Sequence, residues 1–161
     1  MIRVLVLGAV VVVLDQITKA MVLTHLAPGT HVDIVEGFVT LTLVMNPGLA
    51  FGLLGSVPSG WRWVVALLSV AALAVLARVA LRVLPAGSRL DHVAIGLIFG
   101  GAVGNLIDRV RFGAVVDFVD LHARGYHWPA FNVADSGISV GVVLLGLRLL
   151  LRPAPSTSTT T

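Results

Sequence analysis

Four long apolar runs, at about 2–23, 61–84, 92–107 and 135–151, constrain this chain more than any other feature. A helix needs roughly 20 apolar residues to cross a bilayer, and runs of that order read as membrane spans. Only 12% of the 161 residues are charged and 57% are apolar, whereas soluble domains carry about 25% charged residues. A soluble fold of this size has nowhere to hide that much apolar surface. The expected fold class is therefore membrane all-α: four transmembrane helices, with a small β-rich extramembrane subdomain on the outer face. Residues 1–152 form one domain in this reading, and the Ser/Thr-rich stretch 153–161 is a disordered tail.

The first run opens behind Arg3 and resembles the apolar region of a secretory signal peptide. No small-x-small cleavage site follows, and apolar character resumes after Lys19 with Met21, Val22 and Leu23. It therefore reads as a first span. The formal charge of +3 does not point to nucleic acid, because the basic residues sit at the ends of the apolar runs and form no patch. The absence of cysteine excludes disulfides, thiolate metal sites and a thiol nucleophile.

Four spans place both termini on one side. That side holds Arg3, Arg78, Arg82, Arg89, Arg148 and Arg152, six of the eleven basic residues. The excess favours cytoplasmic termini. Trp61 and Trp63 sit where interfacial aromatics belong, as do Tyr126, Trp128 and Pro129 in the polar connector 108–134. Gly96, Gly100 and Gly104 share one helix face, as do Gly137 and Gly141, and this small-xxx-small spacing serves close helix packing.

Residues 25–60 are less apolar and hold Pro28, Gly29, Asp33, Glu36 and Gly37. The alternation around Thr40 and Thr42 reads as a short strand, and Asn46-Pro47-Gly48 as a turn. The apolar piece 49–54 is too short to span and is expected as a half-helix on the bilayer surface. Asn46 either caps the turn or bonds a peptide backbone.

The chemistry resides in the carboxylates within or beside these apolar runs. Asp15 and Lys19 are four apart, so they share a helix face and can pair. Lys19 then either snorkels from a structural ion pair near the interface or serves a site directly. Asp108 and Arg109 adjoin, which suits a supporting or salt-bridge role. Asp117 and Asp135, 18 residues apart, can converge at the outer leaflet. Two carboxyls in a poorly solvated site share a proton and can act as acid and base. Asp135 opens a helix, and the macrodipole there favours its charged form. Asn105, Arg109 and Asn132 can orient carboxylates or substrate backbone. Each element also has a plainer account: Asp135 as a helix cap, Asp117 as a strand-end residue. A proton-relay transporter using Asp15, Asp108 and Asp135, or a non-catalytic scaffold, would use the same residues differently.

Five stretches in order, Asp15-Gln16-Ile17-Thr18-Lys19, Asn46-Pro47-Gly48-Leu49-Ala50-Phe51, Gly104-Asn105-Leu106-Ile107-Asp108-Arg109, Val115-Val116-Asp117-Phe118 and Phe131-Asn132-Val133-Ala134-Asp135, resemble the bacterial lipoprotein (type II) signal peptidases. Pro47 stands where that family often has Thr or another residue and is expected to stiffen the turn with function intact. The resemblance implies a membrane aspartic endopeptidase that cuts prolipoproteins before a diacylglyceryl-modified cysteine. It implies Asp117 and Asp135 as the catalytic pair. Asp15, Asn46, Gly48, Asn105, Asp108, Arg109, Asn132 and Ala134 become supporting residues, with Lys19 beside Asp15. It further implies the bacterial inner membrane, an active site toward the outer face among membrane lipids, inhibition by globomycin-type cyclic peptides, and no metal or cofactor.

Overall fold

The computed structural model describes residues 1–48, 60 and 62–151. Among the described residues, four helices are long and apolar enough to cross a membrane: α1 (Ile2–His25), α2 (Arg62–Val83), α3 (Arg89–Phe112) and α4 (Val133–Leu150). Between them lie β1 (His31–Val35), β2 (Val39–Asn46), β3 (Val115–Ala123) and β4 (Tyr126–His127), paired antiparallel in the order β1-β2-β3-β4. The expected class, four apolar helices with a small sheet, is the one observed.

The helices differ from their expected limits in a way that matters for the site. The third was expected at 92–107 but runs from Arg89 to Phe112, so Asp108 and Arg109 lie inside its last turns. Ser88 starts it with a reciprocal capping box to Asp91, and Gly113, at φ 68°, ends it in the left-handed region that glycine tolerates. The fourth begins at Val133 because Asn132 caps it. The connector 108–134 is therefore more than a polar link. Its middle is β3, the sheet's third strand, so the sheet draws on residues well beyond 25–60. A two-residue turn with positive φ at Arg124 and Gly125 joins β3 to β4, as tight hairpins require. The expected half-helix at 49–54, Trp61 and the tail at 153–161 lie outside the described residues.

Helix α3 is central and packs against α1, α2 and α4. Its glycines allow this. A Cβ built on Gly100 would lie 2.6 Å from the carbonyl oxygen of Gly8 and 2.8 Å from Val11 Cβ. One on Gly141 would lie 2.6 Å from the carbonyl oxygen of Ala94. In hydrocarbon, close backbone approach replaces the hydrophobic effect as the force between helices. The outward faces carry large apolar side chains such as Leu5, Leu67, Val75 and Leu149, all more than half exposed and suited to lipid. Under the sheet, Val22, Leu43, Val116 and Phe118 form a small core that seats it on the end of α1.

Gly100→Ala is expected to destabilise the α1–α3 contact by about 1–3 kcal/mol, the usual cost of overpacking. Gly146→Ala, with no atom within 4 Å of the added Cβ, should be neutral. Thermal unfolding of both variants in detergent checks the difference, and equal midpoints would refute the packing account.

Candidate active site

The site is built on a buried lysine. Lys19 is 2% exposed and does not snorkel, contrary to one of the two expectations for it. Its ammonium has three donors, and each finds an acceptor: Asp15 Oδ2 at 2.8 Å, Asp108 Oδ2 at 2.7 Å and Asn105 Oδ1 at 3.0 Å. A charge at this depth is tolerated only when paired in this way. The partner of Asp108 is thus Lys19 and not the adjacent Arg109.

Both carboxylates are otherwise employed. Asp15 Oδ1 accepts the Ala134 amide at 2.9 Å, so Asp15 satisfies an unpaired N–H in the first turn of α4. Asp108 Oδ2 accepts the Val116 amide at 3.0 Å and so fixes the start of β3. Gln16 donates to Asp108 Oδ1 at 3.0 Å and lies 3.2 Å from Asp15 Oδ2. It was not among the expected site residues. Its signal was modest, a single amide one residue from Asp15 in an apolar run. Gly104 is needed here as well, since a Cβ on it would lie 2.6 Å from Asp15 Oδ2.

The second layer is three asparagines. Asn105 accepts from Lys19 and donates to Asp135 Oδ1 at 2.8 Å. Asn132 donates to Asp117 Oδ1 at 2.7 Å, and its side-chain oxygen accepts the Asp135 amide at 2.9 Å. Asp135 Oδ2 returns the contact by accepting the Asn132 amide at 3.2 Å. Asp135 therefore caps α4 and faces the cavity at once. Asn46 donates to Asp117 Oδ2 at 3.0 Å, and its oxygen accepts the Gly48 amide at 3.0 Å, so it caps the turn and also holds a carboxyl. Arg109 donates to the Gly48 carbonyl at 3.1 Å and ties that turn to α3. Ala134, fully buried, contributes its backbone.

Asp117 and Asp135 line one cavity of about 610 Å³ between α2, α3, α4 and the sheet. Ser69, Ala102, Ile138, Trp128 and Phe131 also face it, so its walls are mostly apolar. Burial pushes the Asp117 carboxyl up to about 7 from 3.8, and the charge of Asp135 adds to this, against opposing hydrogen bonds from Asn46 and Asn132. Of the eleven residues expected at the site, Asn46, Asn105, Arg109, Asp117 and Asp135 line this cavity, and the other six join them through the contacts described above. At the other end of the helices the buried Asp91 pairs with the half-buried Arg148, a contact with no counterpart among the sequence expectations. Their separation of 57 positions left no local sign of it.

These features define an integral membrane protein with a dicarboxylate cleft at one end of its helix bundle. Residues 7–151 match the family described as signal peptidase (SPase) II. The chain is 47% identical over 146 residues to the lipoprotein signal peptidase of Ralstonia nicotianae, covering 91% of this chain and 83% of that protein. It is 41% identical to the lipoprotein signal peptidase of Desulforapulum autotrophicum, covering 96% of each. A solved bacterial membrane enzyme superposes with a TM-score of 0.76 at 32% identity, over 98% of this chain and 93% of that one. The chain belongs to the signal peptidase II family, a family of peptidases.

Lys19→Met would leave Asp15 and Asp108 buried without a counter-charge. Breaking a buried pair in this way costs about 3–5 kcal/mol. Unfolding in detergent should show a loss of that order; unchanged stability would mean that the lysine does not hold the site together.

Proposed function

We propose that this protein is an aspartic endopeptidase that removes signal peptides from diacylglyceryl-modified prolipoproteins, cutting before the lipidated cysteine. The observation that carries the proposal is two carboxyl side chains, Asp117 buried and Asp135 half-buried, facing one largely apolar cavity at the end of a membrane bundle. Family membership supports the substrate class.

The two carboxyls take different roles because their surroundings differ. Asp135 lies in the first turn of α4, where the positive end of the helix dipole and N–H groups from Asn105 and Asn132 suit an ionised base. Asp117, raised to about 7, suits the protonated acid. Asp135 takes a proton from water, and the hydroxide formed attacks the scissile carbonyl. Asp117 gives its proton to the carbonyl oxygen, so charge does not accumulate there. When the tetrahedral intermediate collapses, Asp117 recovers the proton from oxygen and Asp135 delivers its own to the departing amine. The pair ends as it began, with one water consumed.

Position serves the substrate. Lipid chains on the cysteine remain in hydrocarbon while the scissile bond rises to the dyad. The cavity walls from α2 and α4, including Ser69 and Ile138, would flank the signal helix. The excess of arginine at the opposite helix ends supports cytoplasmic termini in a bacterial inner membrane, with the sheet and dyad on the outer side. A globomycin-type cyclic peptide would block the same cavity.

The test is cleavage of a diacylglyceryl prolipoprotein by purified protein. Asp117→Asn and Asp135→Asn should each retain substrate binding and lose at least about 100-fold in rate, since each removes a proton-transfer group. Cleavage by Asp117→Asn with none by Asp108→Asn would mean the wrong aspartates have been paired. The pH profile is a separate check. The acid must carry its proton, so kcat/KM should fall as pH rises past about 7, approaching tenfold per pH unit. A rate that increases through that range would reverse the two roles.

A further inference from the structure

The cluster of Asp120, His122 and His127 lies outside the dyad and takes no part in the chemistry above. We propose that these three side chains form a binding site for a divalent transition-metal ion of the zinc class, on the β3–β4 hairpin. Asp120 and His122 are two apart on β3 and therefore project from the same face of the strand. His127 on β4 is the direct cross-strand partner of His122. The tight turn at Arg124 and Gly125 sets that register. One ligand atom from each residue lies within 4.8 Å of the others. Tetrahedral bonds of about 2.1 Å place ligand atoms roughly 3.4 Å apart, so closure requires shifts near 1.4 Å. The His127 side chain is 60% exposed and free to turn by that amount.

A second observation points to a ligand. His122 Nδ1 is buried and has no hydrogen-bond partner among the described residues. Leaving a buried polar atom unpaired is costly and uncommon. The other two groups already show mutual attraction, with His127 Nδ1 at 2.9 Å from Asp120 Oδ2. The His122 and His127 rings stack with centroids 5.0 Å apart, so the two imidazoles lie side by side next to the Asp120 carboxylate, and binding would turn the exposed His127 ring to bring its nitrogen to the ion. Two nitrogen donors and one oxygen favour zinc, nickel or copper over calcium and magnesium, which prefer oxygen alone. A fourth position remains for water on the exposed side.

The site's location gives it a structural consequence. Asp117 and Leu121, on the same strand, line the cavity, and Trp128, Pro129 and Phe131 follow β4 directly along its rim. A metal joining β3 to β4 would anchor that rim.

Zinc chloride is titrated into the tag-free, full-length protein in detergent against a chromophoric chelator. Saturable binding of one ion per chain is expected. His127→Gln, a change at an exposed position, should weaken it roughly tenfold or more, and His122→Asn likewise. His25→Gln and His31→Gln should leave the affinity unchanged. Cobalt substitution should give visible absorption bands that vanish in His127→Gln. Absence of saturable binding, or equal affinity in His127→Gln, overturns the proposal. So does a loss of binding in His25→Gln or His31→Gln alone, which would locate the ion elsewhere.

Discussion

The ammonium of Lys19, enclosed by Asp15, Asp108 and Asn105, is the contact on which this arrangement depends. It sits on α1 and reaches two groups on α3. Through the carboxylates it also reaches the first turn of α4, at Ala134, and the first residues of β3, at Val116. Four elements are thereby held by one ion cluster. The energetics explain why the cluster is complete. Desolvating a charge costs several kcal/mol even after relaxation, and only full pairing with satisfied hydrogen bonds offsets it. Every donor on Lys19 is used, and each carboxylate oxygen of Asp15 and Asp108 accepts a hydrogen bond or an ion-pair contact.

The cleft is a second layer resting on this first one. Asn105 faces Lys19 with its oxygen and Asp135 with its nitrogen, so it passes the lysine's position to the dyad. Asn132 joins Asp117 to Asp135 while capping α4. The same hydrogen bonds that start a helix also orient an acidic side chain toward the cavity. This economy places Asp117 and Asp135 where rigid elements meet, the start of β3 and the first turn of α4. Groups held on rigid elements need less reorganisation during reaction.

Much of this was legible in the chain because membranes impose simple rules. Apolar runs near 20 residues declare themselves as helices, and the four-residue spacing of Gly96, Gly100 and Gly104 announces a close helix contact. The i, i+4 pairing of Asp15 and Lys19 was also visible. The direction of Lys19 was not, since a lysine near a helix end can equally reach outward to water. Only Asp108 and Asn105, 89 and 86 positions away, turn it inward. The third strand was hidden for a related reason. Val115 and Val116 looked β-like, but pairing with β2 across some 70 intervening positions is a long-range event. The role of Gln16 and the pairing of Asp91 with Arg148 depend on separations of the same kind.

The sequence by itself determined the class, four membrane helices with carboxylates at costly depths, because burial of charge and the thickness of a bilayer act residue by residue. It also determined the family, through five ordered motifs. The tertiary structure alone decided which carboxylates support and which face the cavity. Asp15 and Asp108 share one lysine that the helix packing brings between them, while Asp117 and Asp135 are held by neutral amides. Burial raises the Asp117 carboxyl to about 7, and amides that orient it without a full opposing charge only partly offset this, so it can carry a proton near neutrality.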